Sequence, residues 1–271
     1  MDCHFVKMNP SGNTTIFVTT PVPQEERAAL SQRLMEETNL AAEQVGFLSE
    51  GKRRKADLFV SMMGGEFCGN AVRAAAAWQL FCERKAGGSA EAADYDVACT
   101  GIDRNVHCRA RLVSESAFDV AGEMPLPVDA EKMKIAGLEA WNIVFPGICH
   151  FCFVSKEMPS AAKKEEIIDL ILEACRETAE AVGILFYDGN RLDPFVYVQE
   201  TDTLVNESSC GSGTAALAAA LAIEEGHAVH IEAAQKGGLI YADAELSEGR
   251  VTGLSIGGTV SVVAEGTAYG V

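Results

Sequence analysis

Two cysteines stand in matching surroundings, Cys68 in EFCGNA (66–71) and Cys210 in ESSCGSGTA (207–215). Each is followed by glycine, then by a short polar residue, Asn70 or Ser212, and then by an alanine-rich stretch of helix-forming composition. A helix start carries unpaired backbone N–H groups and partial positive charge. A thiol placed there is expected to ionise more readily than a free one, whose pKa is about 8.5. Gly69 and Gly211 leave the backbone open, so that the N–H groups around Gly69, Asn70, Gly211 and Ser212 can hold a carboxylate. With an amino acid held in this way, one cysteine as thiolate takes the α-proton and the other, as thiol, returns one to the opposite face. That is acid–base catalysis with two bases, and it inverts Cα. Buried free cysteine is also common as a plain packing residue, and either motif alone reads better that way. Two such cysteines at equivalent places favour chemistry.

The elements that must position these thiols come in two similar sets. The first half predicts a strand over Thr15–Thr19, a helix over Gln24–Asn39 and a strand over Ala56–Met62. A helix from Cys68 through Ala71–Phe81 follows, then strands near Tyr95–Cys99 and Val106–Leu112. The second half predicts a strand over His150–Val154, a helix over Ala161–Ala181, a strand over Asp193–Val198 and a helix over Thr214–Ile223. Strands near Val229–Ile231 and Leu239–Ala242 close it. Pro10 and Pro146, Phe17-Val18 and Phe153-Val154, Asp57 and Asp193, and Gly101 and Gly237 each recur 136 residues apart, and Gly46 and Gly183 recur 137 apart. Matches in one order and nearly one register indicate an internal duplication. The expected fold is therefore α/β (α+β) with two pseudo-symmetric domains. Residues 1–124 carry Cys68 and residues 125–256 carry Cys210, with Gly122–Val128 as the linker. A small ligand is expected in the cleft between such domains.

Composition excludes several other functions. The net charge of −17, from 39 acidic and 22 basic residues, repels phosphate backbones, so no nucleic-acid partner is expected. The Lys52-Arg53-Arg54-Lys55 run reads as a solvated loop. No apolar run reaches the roughly 18 residues needed to span a bilayer, so no membrane partner is expected. The N-terminal residues lack the pattern of a signal peptide, and nine cysteines, an odd number, suit reduced thiols in a cytoplasmic protein. Cys149-His-Phe-Cys152 has CxxC spacing, but residues three apart on a strand point to opposite faces and no second pair completes a zinc site. No metal is expected.

At NPSGNTTI (9–16), EQVGF (43–47), EFCGNA and ESSCGSGTA, the sequence resembles the amino-acid racemases and epimerases that work without pyridoxal phosphate, the superfamily of diaminopimelate epimerase and proline racemase. Within it, this combination resembles the histidine racemases of opine-type metallophore pathways. The resemblance covers essentially the whole chain. It implies the diaminopimelate epimerase-like fold, in which each domain is a barrel-like sheet around a central helix and the last strands, 257–271, return to the first domain. It implies no cofactor, Cys68 and Cys210 as the two bases, and Asn13 and Gln44 lining the substrate pocket. It further implies that Asn70 and Ser212 hold the α-carboxylate, with His150 and Glu66 in supporting places. Dimers are common in that superfamily, so a homodimer is compatible.

The departures bear on the substrate. Diaminopimelate epimerases place an arginine for the distal carboxylate upstream of the second cysteine, and Thr201–Ser209 (TDTLVNESS) holds none. Ser61 replaces an asparagine that helps bind the same group. A buried carboxylate without its arginine is costly. Glu43, Glu66, Asp193 and Glu207 instead offer carboxylates to an imidazole or a cationic side chain. The reading is an amino-acid racemase with histidine as leading substrate. The alternatives are a diaminopimelate epimerase, a racemase or epimerase of another amino acid, and a catalytically inactive amino-acid binder. The binder would show affinity without exchange of the α-proton.

Overall fold

The computed structural model describes residues 2–271, apart from the side chain of Arg53. The chain divides into two compact units, Met1–Glu123 with Gly257–Val271, and Met124–Ile256.

The first unit contains strands β1 (Cys3–Pro10), β2 (Thr15–Val18), β3 (Gln44–Glu50), β4 (Leu58–Met62), β5 (Ala92–Cys99), β6 (Val106–Ser114) and β7 (Ala117–Glu123). The long β16 (Arg250–Ala268) begins in the second unit and ends in the first. The order β1-β2-β3-β4-β5-β6-β7-β16, with β16 pairing back to β1, closes an eight-stranded barrel and leaves no edge. Helix α2 (Gly69–Lys85) fills it. Ala71, Val72, Ala74, Ala75, Ala76, Ala77 and Leu80 are all fully buried, which is why the helix is built from alanine: longer side chains would not fit so close to the strands. Strand residues alternate between the two faces. Leu58, Val60 and Met62 join the core around α2. Val45 and Phe47 pack outward with Leu30 and Leu34 of α1 (Gln24–Met35).

The second unit has a six-stranded sheet. Its strands are β8 (Asp129–Ile135), β9 (Leu138–Phe145), β10 (Ile148–Val154), β11 (Ala181–Tyr187), β12 (Leu192–Val198) and β13 (Thr203–Asn206), hydrogen-bonded in the order β13-β12-β11-β10-β9-β8. Strands β14 (Val229–Gln235) and β15 (Gly238–Ser247) form a hairpin beside the start of β16. Helix α3 (Ala161–Cys175) covers one face of the six-stranded sheet through Ile167, Ile168 and Ile171. Helix α4 (Gly211–Glu225) packs against β14 and β15 and against β9 and β10, and Ala215–Ala220 are fully buried.

Two expectations are corrected. The helix expected to run to Ala181 ends at Cys175, and Ala181–Tyr187 (AVGILFY) is a central strand. A short apolar run is ambiguous between helix and strand, and here the β-branched Val182 and Ile184 decide it. The repeat register also shifts at β2 and β10. Phe17 pairs with Gly46, and His150, not Phe153, pairs with Gly183. The turn before β2 is longer than the Pro146-Gly147 turn before β10, because the first half carries the Pro-Ser-Gly-Asn segment that ends at Asn13.

Candidate active site

Both cysteines are helix N-caps. Cys68 has extended backbone angles (φ −132°, ψ 108°) and its Sγ accepts the Ala71 N–H at 3.4 Å. Cys210 has nearly the same angles (φ −119°, ψ 106°), and its Sγ accepts the Gly213 N–H at 3.4 Å. Each sulfur thus takes the place of the usual capping oxygen and satisfies an unpaired donor of the first turn.

In the first unit the amides around Cys68 form a connected set. Cys68 Sγ donates to Gln44 Oε1 at 3.3 Å. Gln44 Nε2 donates to Asn13 Oδ1 and to Thr15 Oγ1, each at 2.7 Å. Asn70 Nδ2 donates to the same Asn13 oxygen at 3.3 Å, and Asn13 Nδ2 donates to Glu43 at 2.7 Å. Behind them the fully buried Arg73 donates to Asn70 Oδ1 at 3.1 Å and to the Val120 carbonyl at 2.8 Å. Arginine only donates and a carboxylate only accepts, so the two ends of the set fix the orientation of the three amides between them. Asn13, Gln44, Cys68, Gly69 and Asn70 are therefore brought together in the first unit.

Glu66 is exposed, and its carbonyl accepts the Thr100 hydroxyl at 3.0 Å. Its carboxylate acts on Cys68 through charge alone. Ser61 stands apart. It neighbours Val60 and Met62 but points to the opposite face of β4, where Arg27 donates to its hydroxyl at 3.0 Å. Arg27 in turn lies over the Phe47 ring, 4.5 Å from its centroid.

In the second unit Cys210 Sγ lies 3.6 Å from Ser212 Oγ, and Glu207 hydrogen-bonds to the thiol. Gly213 keeps the space beside the thiol open: a Cβ there would stand 2.8 Å from Leu185 Cδ2 and 3.1 Å from Cys210 Sγ, and a neighbour would have to shift. His150 is fully buried with its ring edge-on to Phe145, and neither ring nitrogen meets a hydrogen-bond partner among the described residues. It is not hydrogen-bonded to Cys210. Asp193 is committed elsewhere, to Lys164 at 2.5 Å and to Asn206 at 2.9 Å.

The electrostatics correct the expectation of easily ionised thiols. Burial pushes the Cys68 thiol up to about 12, outweighing the Ala71 N–H, and the nearby Cys99 and Glu66 push the same way. Burial, followed by the charge of Glu207, pushes Cys210 well above the ordinary thiol value. A helix tip contributes only a partial charge, whereas desolvation acts on the whole charge of the thiolate. Without substrate both sulfurs are held as thiols.

Gln235 and Arg73 belong to these sites and carry no motif of their own in the sequence, whereas Thr15 lies within NPSGNTTI. Gln235 was findable: it stands 136 residues after Cys99, in the repeat register. Among the described residues no group of three or more metal-ligating side chains converges, and all nine cysteines are free. Cys149 packs on the α3 side of β10, and Cys152 is not part of that cluster. Arg54 is half-buried and donates to the Ile102 carbonyl at 2.5 Å.

Solved structures share this architecture. A predicted epimerase from Pseudomonas aeruginosa aligns over 99% of this chain and 100% of its own, with a TM-score of 0.70 at 14% identity. A hydroxyproline epimerase from Agrobacterium vitis, solved with trans-4-hydroxy-L-proline, aligns over 98% and 92%, with a TM-score of 0.63 at 11% identity. The class is that of isomerases acting on amino acids, and the reaction is racemisation of an amino acid. More narrowly, the chain belongs to the family described as the histidine racemase CntK N-terminal domain, whose model matches residues 2–269. It is 36% identical over 218 residues to a histidine racemase of Fusobacterium nucleatum subsp. nucleatum, covering 79% of each chain. It is 27% identical over 278 residues to a histidine racemase of Staphylococcus aureus, covering 98% of this chain and 97% of that one.

Proposed function

We propose that this chain racemises histidine, without a cofactor, by a two-base mechanism in which Cys68 and Cys210 serve opposite faces of Cα. The observation that carries the reading is the pair of N-cap thiols, alike in backbone angles and in the N–H each accepts. A racemase must handle both enantiomers, and each enantiomer needs a base on its own side. Within a diaminopimelate epimerase-like fold, the N–H groups at the starts of α2 and α4 would hold the substrate carboxylate and the negative charge that develops beside it. The substrate ammonium group supplies the opposite charge that lowers the cost of forming a buried thiolate.

Histidine is supported by the two histidine racemase relatives and by the absence of arginine between Thr201 and Ser209. The carboxylates of Glu43 and Glu207, each hydrogen-bonded inside its site, are the candidates to receive an imidazole N–H. The free thiols suit a cytoplasmic enzyme.

The deciding experiment follows loss of optical rotation for L-histidine, L-lysine, L-alanine and diaminopimelate, with α-proton exchange in heavy water measured in parallel. Histidine should react fastest, and Cys68→Ala and Cys210→Ala should each abolish racemisation. Preference for diaminopimelate would sink the substrate assignment. Binding without exchange would sink the enzymatic one.

A further inference from the structure

The backbone of Cys210 is held in a closed ring of hydrogen bonds. Its N–H donates to Gln235 Oε1 at 2.8 Å, Gln235 Nε2 donates to Thr214 Oγ1 at 3.0 Å, and Thr214 Oγ1 donates to the Cys210 carbonyl at 2.7 Å. Every direction in the ring is forced. A peptide N–H can only donate, so the Gln235 oxygen must face it and the Gln235 NH2 must face the hydroxyl. The hydroxyl proton is then free only for the carbonyl. Thr214 is fully buried and Gln235 half-buried, so the ring is shielded from competing water. Both atoms fixed by the ring, the N and the carbonyl O of Cys210, flank the Cα that carries the sulfur.

The first half meets the same need differently. There the Cys68 N–H donates to the sulfur of Cys99, which lies 136 residues before Gln235. Equivalent strands, β5 and β14, thus end on a residue that receives the N–H of the N-cap cysteine. Only the second half extends that contact into a ring through the helix.

We propose that Gln235 and Thr214 are positioning residues for racemisation, holding the Cys210 peptide so that its sulfur stays aligned with the substrate Cα. The proposal rests on the reading of Cys210 as one of the two bases. A misplacement of a catalytic group by about 1 Å can cost about a hundredfold in rate. Loss of the ring should therefore slow proton transfer at Cys210 and leave transfer at Cys68 unchanged.

The test uses Thr214→Val, Thr214→Ser, Gln235→Leu and the double variant Thr214→Val/Gln235→Leu in the full-length enzyme. Substrates are L- and D-histidine deuterated at Cα, or the amino acid that the substrate panel selects. Thr214→Val should lower kcat by about tenfold to a hundredfold. It should raise the deuterium isotope effect for the enantiomer whose proton Cys210 takes, while the isotope effect for the mirror image holds or falls. Thr214→Ser, which keeps the hydroxyl, should restore both readouts. The double variant should be no slower than the slower single variant, because one ring is broken once. A wild-type rate for Thr214→Val, equal isotope effects for the two enantiomers, or losses that multiply in the double variant would each overturn the proposal. If Gln235→Leu does not fold, the two Thr214 variants decide. Cys210→Ala at wild-type rate overturns both this proposal and the two-cysteine reading. An inactive Cys210→Ala beside an unaltered Thr214→Val overturns the ring alone.

Discussion

Gly183 makes the space that the His150 ring fills. The two residues are partners in the β10–β11 pairing, and a Cβ on Gly183 would stand 1.9 Å from His150 Nδ1. No side chain is tolerated there unless the ring moves, and the ring is fully buried. Gly183→Ala should therefore destabilise the protein by about 1–3 kcal/mol, the usual cost of overpacking a core. Adding His150→Ala to it should recover part of that loss. Urea unfolding of the three variants checks this, and a Gly183→Ala protein as stable as wild type would contradict the contact.

His150 also sets a pH limit on stability. Burial lowers its pKa to about 3, against an ordinary value of 6.5. The unfolded chain then takes up a proton below pH 6.5 that the folded chain refuses until about pH 3. Stability is complete above 6.5 and falls by about 1.4 kcal/mol per pH unit below it. His150→Phe should remove that dependence and still fold, because the first repeat already pairs a phenylalanine, Phe17, with the corresponding glycine, Gly46. Unfolding curves between pH 4.5 and 7.5 should be steeper in pH for wild type than for His150→Phe. Equal slopes would show that other groups dominate.

The parts legible in the sequence were those fixed by local pattern. The helices headed by Cys68 and Cys210 show in an apolar alanine run opened by a small polar cap, and the turn residue Asn13 shows in its motif. The paired positions of Asp57 and Asp193 also reveal the repeat. What stayed hidden depends on pairing between distant segments. The return of 257–271 to the first domain is implied by the family resemblance, whereas the register in which β16 closes on β1 is specified by neither strand alone. The face on which Ser61 lies follows from the register of β4 against β3, which a one-residue slip would reverse. The resting state of the thiols was misjudged because a helix tip is visible in sequence and burial is not.

Asp193 is a structural carboxylate. Burial works to raise its pKa, but the Lys164 ammonium and the Asn206 amide prevail and hold it below the usual aspartate range. Its contribution to stability is present above pH 4 and is lost as pH falls through the lowered value. Lys164 and Asp193 keep 13% and 23% side-chain exposure, so solvent screens part of their attraction. Asp193→Asn should cost about 1–2 kcal/mol in unfolding free energy, with the order of substrate preference unchanged. A changed preference in the substrate panel would return Asp193 to the list of residues that read the side chain.

The two thiols should be unreactive at neutral pH in the absence of substrate. With Cys68 pushed up to about 12 and Cys210 also well above its ordinary value, the thiolate fraction at pH 8 is far below that of a free thiol. Because that fraction grows tenfold per pH unit below the pKa, alkylation by iodoacetamide should rise about tenfold per unit between pH 7.5 and 10. Folding holds these protons more tightly than the unfolded chain does. Their contribution to stability is therefore complete below about pH 9 and is lost as pH rises toward 12. Mass spectrometry of the peptides carrying Cys68 and Cys210 follows each site separately, which the other seven cysteines require. A substrate-free alkylation rate that levels off below pH 9 would mean that the helix-tip N–H groups outweigh burial, and the resting charge state assigned to that sulfur would be wrong.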